Sequence, residues 1–384
     1  MSASQLQIYD PTERRLVAAA DALLTPLQWT ARASLAGPIE RVLLLRLERI
    51  GDLLMVLDAI RDARAAWPGA AIDLAIGRWN APLAALVPEI SHVLVASAPW
   101  LARRDQSDGW RRLIATARDW RSRRYDVVVN FEPDIRSNFL AWLSGAPRRV
   151  GYSSGGGGAF LTDASVYRTD AHVRDNAREL VARASERPVP PDTARRGPQL
   201  ALPESERARV RAILSSATRP LVGIHASGGR PSKQWYPSRF GEVAARVARQ
   251  RQATIVLTGT SDDRLIVDEV KPALGGLPVI DMAGALDIVG LAALIAELDV
   301  LVTGDTGPMH LAAAMDTPVV ALFGPSNPVR YGPLGTRSRV LRVDLPCSPC
   351  GQVRLPPERC RGHVPDCLHG IDVDRVVAAV DELL

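Results

Sequence analysis

The feature that most constrains this chain is a recurrence of short, uninterrupted aliphatic runs separated by stretches of helical periodicity. From Arg41 onward the runs are Val42 to Leu45, Ile72 to Ile76, His92 to Val95 and Asp126 to Phe131. After an interruption they restart as Leu221 to His225, Thr254 to Thr258, Pro278 to Ile280, Val300 to Thr303 and Pro318 to Phe323. A strand that is apolar on both faces must be covered on both faces, and intervening helices supply the cover. The pattern therefore predicts an α/β fold of buried parallel strands. Its repetition within 384 residues predicts two doubly wound, Rossmann-like domains rather than one core. Open parallel sheets bind ligands outside the carboxyl ends of their strands, so the expectation is a central cleft with a site on each wall.

The expected division is an amphipathic helical extension over 1–38, a first α/β domain over 39–185, a proline- and arginine-rich linker over 186–204, and a second α/β domain with a cysteine-bearing tail over 205–384. The extension opens on Asp10-Pro11-Thr12-Glu13, a cap, a proline at the first helical position and an acid at N3. Leu16, Ala20, Leu23, Leu24 and Leu27 follow at helical spacing, either as a face packed on the domain or as a foot on a membrane surface. Gly155 to Gly158 reads as a flexible loop.

At 47% apolar and 23% charged residues, long disorder, collagen-like repeats and a disulfide scaffold are excluded. No window of about 18 uninterrupted apolar residues occurs; the best, Ile288 to Val302, is broken by Glu297 and Asp299. The N-terminus lacks a basic patch followed by an apolar core, so a cytoplasmic protein is expected, with peripheral attachment at the inner membrane face left open. A net charge of +5 suits nucleic acid, an anionic membrane or an acidic substrate. Without an RNP pattern, a helix-turn-helix signal or zinc-finger spacing, nucleic acid is not an expected partner.

The chemistry is expected in the loops after the strands. Arg46 to Asp52 follows the first strand and precedes the helical run Leu53, Leu54, Leu57, Ile60, which puts Asp52 at or near a helix start, as a functional carboxylate or as a cap. Neither a GxGxxG nor a Walker loop is present there. Gly304 to His310 follows the strand at Val300 and opens a helix, where Thr306 and Gly307 would offer N–H groups to a diphosphate and Asp305 would suit sugar hydroxyls. His310, one turn in, is a phosphate contact or a packed histidine. His225 to Trp235 is a small-residue loop containing Ser227 and Lys233. Lys233 is one of two lysines among 47 basic residues, and its retention against an arginine bias suggests a need for a compact ammonium, such as neutralising a leaving diphosphate. Cys347, Cys350, Cys360 and Cys367 hold every thiol of the chain within a short tail; a structural zinc or iron site and free thiols are both open. Trp100 to Arg124 carries three tryptophans among arginines, including Arg111 and Arg112, and could grip an anionic acceptor. Asp372-Val373-Asp374 matches a metal-binding DxD but sits where a helix cap belongs.

Three of these motifs in order, Leu43 to Asp52, Lys233-Gln234-Trp235, and Asp305 to Ala314 with Phe323-Gly324-Pro325, resemble glycosyltransferase family 9, the heptosyltransferases of lipopolysaccharide core synthesis. The resemblance runs from about Arg41 to the C-terminus. It implies a GT-B fold whose first domain binds the acceptor and whose second binds an ADP-activated heptose. It also implies inverting transfer that requires no cofactor for catalysis. By motif position Asp52 would be the general base, Lys233 the phosphate contact, Asp305 the sugar contact, and Thr306 with Gly307 the diphosphate cradle. Gly259 and Asp263 occupy the loop where the family often places a glutamate near the nucleotide ribose. Arg49 and Glu132 would border an anionic, lipid-linked saccharide acceptor. A family-9-like transferase with another sugar nucleotide or a protein acceptor, and a noncatalytic sugar-nucleotide-binding protein, are the alternatives.

Overall fold

The computed structural model describes residues 6–8, 10–25, 37–101, 109–191, 198–335, 337–353 and 356–384. It forms two compact units, Met1–Thr193 and Ala194–Leu384. In the first, β1 (Arg41–Arg46), β2 (Ala71–Ile76), β3 (His92–Val95), β4 (Val127–Asn130), β5 (Arg148–Tyr152) and β6 (Asp163–Ser165) make one sheet in the order β3-β2-β1-β4-β5-β6, every neighbouring pair parallel. The second repeats the plan with β7 (Leu221–His225), β8 (Thr254–Thr258), β9 (Val279–Asp281), β10 (Val300–Gly304), β11 (Val319–Leu322) and β12 (Ser338–Leu341), ordered β12-β11-β10-β7-β8-β9 and again parallel throughout. In each sheet the strand order reverses beside the first strand, between β1 and β4 and between β7 and β10. A crevice opens at the carboxyl ends of such a pair, because the two chains leave toward opposite faces.

The central strands are buried on both sides, as parallel strands must be: Val42 to Leu45 and Val300 to Val302 are fully sequestered. Each such leucine or valine contributes about 1.5–3 kcal/mol by leaving water. Helices close both faces. Leu140 and Trp120 pack on β1 and β4 in the first unit, and Phe240, Val376 and Val380 pack on β7, β8 and β10 in the second.

Three strands escaped the aliphatic-run criterion, and each is polar for a visible reason. In β5 the buried Arg149 donates to the Phe160 carbonyl at 2.7 Å and to that of Ala146, so an arginine occupies an inward position. The strands β6 and β12 are sheet edges, where a continuous apolar run is not needed.

The glycine run Gly155 to Gly158 is not a flexible loop but a packed turn. A Cβ on Gly155 would lie 1.7 Å from the Pro133 carbonyl oxygen, and one on Gly156, at φ +86°, 2.2 Å from Val17. The N-terminal helix spans Pro11–Leu24, capped by Asp10 on the N–H groups of Thr12 and Glu13. It rests on that turn through Val17 and Asp21, the latter accepting the Gly157 N–H; Leu27 lies outside the described residues. Within Trp100 to Arg124 the helix is Gly109–Asp119, and Trp120 belongs to the core. Asp372 caps the last helix through the Arg375 N–H at 2.9 Å, and Asp374 pairs with Arg246 at 2.5 Å, so the DxD is a helix start.

Candidate active site

In the first unit the loop leaving β1 is fastened to the loop leaving β4. Arg46, the last residue of β1, is buried and donates Nη1 to the Phe131 carbonyl at 2.8 Å and Nε to the Asp52 carbonyl at 3.2 Å. Its guanidinium also lies 3.0 Å from the Glu48 carboxylate and 3.3 Å from Asp52 Oδ1. From the β4 side, Glu132 Oε1 accepts the N–H groups of Leu47 and, at 3.0 Å, of Glu48. The Glu48 carbonyl in turn accepts from Trp79 Nε1 at 2.7 Å and Asn80 Nδ2 at 2.8 Å. Asn130 orders this corner, accepting the Glu132 N–H at 3.1 Å and donating to Asn138 at 2.8 Å and Ser137 at 2.9 Å.

Asp52 stands on the short helix Ile50–Leu54, but at its third position and not as its cap; the capping place is Arg49, whose N–H donates to Asp52 Oδ2 at 3.0 Å. The carboxylate is therefore oriented by one backbone donor and one buried cation, while a quarter of its side chain stays exposed. Burial alone would disfavour the charged guanidinium of Arg46, but the surrounding Glu48, Asp52 and Glu132 outweigh it and raise its pKa. Burial, then the neighbouring Glu48 charge, pushes Glu132 up to about 8 against the pull of Arg46. Glu132 thus sits beneath the loop as its support. Arg111 and Arg112 lie exposed on the helix Gly109–Asp119, a separate element from this network.

The second unit has an analogous fastening at its own switch point. Trp235 is sequestered edge-on against Phe240, ring centroids 4.9 Å apart, and Gln234 braces the loop through the Gly228 N–H and the carbonyls of Ala226 and Trp235. A Cβ on Gly228 would meet the Lys233 and Gln234 backbone at 2.8 Å, so only glycine allows the loop to fold back there. The outcome of this spacing is that Lys233 Nζ meets Asp305 Oδ2 at 2.6 Å, joining the loop after β7 to the loop after β10. Thr306 precedes the helix Gly307–Ala314 without capping it; its hydroxyl instead meets Thr303 Oγ1 at 3.0 Å. The N–H groups of the first turn keep no side-chain cap, which suits an anion. His310 is buried in that helix.

Ser227 donates to Asp263 Oδ1 at 2.7 Å, and Asp263 Oδ2 accepts the N–H and hydroxyl of Thr260 at 2.8 and 2.7 Å. Burial opposes the charge of Asp263, and these donors overcome it, lowering its pKa. A Cβ on Gly259 would crowd the Asp263 Cβ at 3.2 Å, so that glycine keeps room for the turn. His225, beneath the loop, is lowered to about 4 by burial.

The four cysteines are free, and among the described residues no three His, Cys, Asp or Glu side chains converge into a group that could hold a metal ion. A structural zinc or iron at Cys347, Cys350, Cys360 and Cys367 would need a tetrahedral thiolate set. Burial, and after it the neighbouring Cys350, Cys360 and Cys347, push the Cys367 thiol up to about 11.

The long-range contacts are what sequence reasoning missed: Trp79, Asn80 and Asn130 carried no motif, Arg46 opened the first motif without a role of its own, and the Lys233–Asp305 pair joins two motifs read separately. The Arg-Leu-Glu-Arg run after β1 was the available signal, since an arginine ending a buried strand requires acceptors.

Two doubly wound parallel units of this strand order are the architecture of the GT-B class of glycosyltransferases. The model of glycosyltransferase family 9 (heptosyltransferase) matches residues 113–357, and the chain belongs to that family. The matched span includes Lys233 and Asp305; Asp52 precedes it. Lipopolysaccharide heptosyltransferase 2 of Salmonella typhimurium is 29% identical over 307 residues, 77% of this chain and 85% of its own. Among solved structures, E. coli ADP-heptose lps heptosyltransferase II superposes with a TM-score of 0.71 at 24% identity, covering 89% of this chain and 98% of its own. The family 9 glycosyl transferase of Veillonella parvula reaches 0.75 at 23% identity, covering 91% and 99%. At these identities both show a shared fold.

Proposed function

We propose that the protein is an inverting transferase that moves heptose from ADP-heptose to a lipopolysaccharide core acceptor. The observation that carries this reading is the pair of fastened switch points in a family 9 chain: Asp52 held by Arg46 and the Arg49 N–H, and Lys233 set on Asp305 beside an uncapped helix start. A sugar hydroxyl is a weak nucleophile, so a carboxylate that takes its proton during attack lowers the barrier. In this reading Asp52 accepts that proton. The acceptor oxygen bonds to the anomeric carbon as the bond to the diphosphate oxygen breaks, and a single displacement inverts the configuration. The electron pair leaves on the diphosphate, where Lys233 and the N–H groups of Gly307 and Met309 stabilise the charge. These groups supply the positive potential that a divalent cation provides elsewhere, so transfer should proceed without added metal. Thr306 would complete the diphosphate cradle, and Asp305, Ser227 and Asp263 would hold the donor's sugar and ribose, with Arg49, Arg111 and Arg112 serving an anionic, lipid-linked acceptor.

One observation favours another sugar nucleotide as the second reading. Asp263 is shorter than the family's glutamate, and both its oxygens are engaged by Ser227 and Thr260. Thermal shifts with ADP-, GDP- and UDP-sugars separate the two, since a ligand at 100 times its dissociation constant stabilises by about 2.7 kcal/mol. ADP-heptose should give the largest rise; a larger rise with another base overturns the donor assignment.

A further inference from the structure

A second carboxylate shares the cation that holds Asp52. Arg46 Nη1 lies 3.0 Å from Glu48 Oε2 and Nη2 lies 3.3 Å from Asp52 Oδ1, so the rigid fork of one guanidinium sets the two acids on its two terminal nitrogens. The fork itself is sequestered, with 4% of its side chain exposed, whereas Glu48 and Asp52 keep 30% and 26%. Each acid thus leans on the arginine from a partly open position beyond the carboxyl end of β1.

The backbone of Glu48 is fixed more firmly than a solvated loop acid requires. Its N–H donates to Glu132 at 3.0 Å, and its carbonyl accepts from Trp79 Nε1 at 2.7 Å and Asn80 Nδ2 at 2.8 Å. Glu132 and Asn80 are buried and come from the loops after β4 and β2. Burying polar groups costs stability unless each finds a partner, and one residue is the partner of all three. The loop therefore pre-orients Glu48, as the Arg49 N–H pre-orients Asp52; such support is what a binding group needs.

Ionised carboxylates only accept hydrogen bonds, so two of them on one fork suit two neighbouring O–H groups. The local charge points the same way. At neutral pH Glu132 holds its proton, pushed up to about 8 by burial and then by Glu48, which leaves one positive charge on Arg46 against the negative charges of Glu48 and Asp52. A sugar ring carrying its own carboxylate would meet that surplus and lose affinity.

We infer that Glu48 is a specificity-determining residue of the acceptor site: with Asp52 it receives two neighbouring hydroxyls of one uncharged sugar residue and rejects a sugar acid at that position. Asp52 takes the proton of the reacting hydroxyl, while Glu48 accepts a hydrogen bond from its neighbour and leaves that proton in place. The anionic portion of the acceptor that Arg49, Arg111 and Arg112 would serve then lies beyond the reacting ring. This inference rests on the reading of Asp52 as the base and adds the class of sugar on which it works.

The test uses water-soluble acceptor glycosides: one ending in a neutral heptose, its monodeoxy analogues, and its counterpart with the terminal carbon oxidised to a carboxylate. The wild type should favour the neutral glycoside over the acid by at least about tenfold in kcat/KM. Besides the analogue that lacks the nucleophile, one further analogue should lose about 10- to 100-fold, because a hydrogen bond to a charged group disappears. Glu48→Gln should cost the parent glycoside a similar factor, mostly in acceptor KM, and should no longer separate that analogue from the parent, with the donor dissociation constant unchanged. Should Glu48→Gln lose its fold, the wild-type deoxy and acid series decides alone. Calorimetric binding of the same glycosides without donor reads the same ratios, so an absence of transfer from ADP-heptose strikes the donor reading while binding still decides this one. A near-wild-type Asp52→Asn strikes the base reading and leaves the Glu48 ratios unmoved. Equal use of the sugar acid by the wild type, a neutral glycoside that neither binds nor reacts, or a Glu48→Gln variant that treats every glycoside as the wild type does overturns the inference. So does a Glu48→Gln variant that loses kcat about a thousandfold at unchanged acceptor KM, because Glu48 would then be the base itself.

Discussion

Lys233 is held 2.6 Å from the carboxylate of Asp305, which is 8% exposed. If the ammonium serves a diphosphate, it must share or exchange this partner when the donor arrives, and Asp305→Asn makes the exchange unnecessary. Two unit charges about 4 Å apart interact by about 4 kcal/mol at an effective dielectric of about 20. Most of that is returned by resolvation of the freed ammonium, so a net gain of about 1 kcal/mol is expected for a competing anion, about fivefold in affinity. ADP should therefore bind about fivefold tighter to Asp305→Asn than to the wild type. ADP-heptose should not share the gain, because loss of a charged hydrogen bond to a sugar hydroxyl costs about 1.5–3 kcal/mol. The ratio of the two dissociation constants should move by about tenfold or more, measured by calorimetry without acceptor at fixed salt. Lys233→Ala should weaken both ligands and, by leaving Asp305 without its cation, cost about 2 kcal/mol of stability. If Asp305→Asn weakens ADP while Lys233→Ala leaves it unchanged, the pair is structural and the phosphate assignment is wrong.

Glu132 titrates near 4.3 when unfolded and is pushed up to about 8 in the fold by burial and Glu48. Folding thus favours its protonated form, and its contribution, full below about 4.3, is lost as pH rises through about 8. Glu132→Gln, which retains an acceptor for the Leu47 and Glu48 N–H groups, should gain melting temperature on the wild type between pH 5 and 8; a pH-independent difference contradicts the burial argument. His225, lowered to about 4 by burial, contributes stability that is full above about 6.5 and lost as pH falls toward 4. His225→Gln should accordingly melt with a shallower loss between pH 6.5 and 4.5 than the wild type. The exposed Cys347 and Cys350 should react with a disulfide reagent at pH 8 at least about a hundredfold faster than Cys367, and purified protein should hold under about a tenth of an equivalent of zinc or iron; stoichiometric metal would restore a thiolate site.

Periodicity was enough for nine of the twelve strands among the described residues because central parallel strands must be apolar on both faces. It failed at β5, where Arg149 satisfies itself on backbone carbonyls, and at the half-buried edge β12. Glycine misled where it was read as freedom: Gly155 and Gly156 are required by close approach of Pro133 and Val17. Of the candidate site, the loops were legible as strand-to-helix turns because Gly, Asp and Thr gather where the chain turns and a helix starts. The fastenings were not, since Arg46 reaches Phe131 85 residues further on and Lys233 reaches Asp305 from the loop of another strand, and one-dimensional spacing carries no signal for such pairs. Asp52, open in the sequence as a possible cap, is the third residue of its helix and completes a capping box there by accepting the Arg49 N–H.

That position sharpens the central test. In Asp52→Asn a single amide oxygen can serve Arg49 N–H or Arg46 but not both, and the amide NH2 then faces the remaining donor, so about 1–2 kcal/mol of stability should be lost. Turnover should fall much further. As the base, Asp52 acts while the acceptor hydroxyl loses its proton, and kcat for heptose transfer from ADP-heptose to a core acceptor should drop roughly 10²- to 10⁴-fold, with the donor dissociation constant nearly unchanged. A folded Asp52→Asn variant that transfers heptose at close to the wild-type rate would contradict the account.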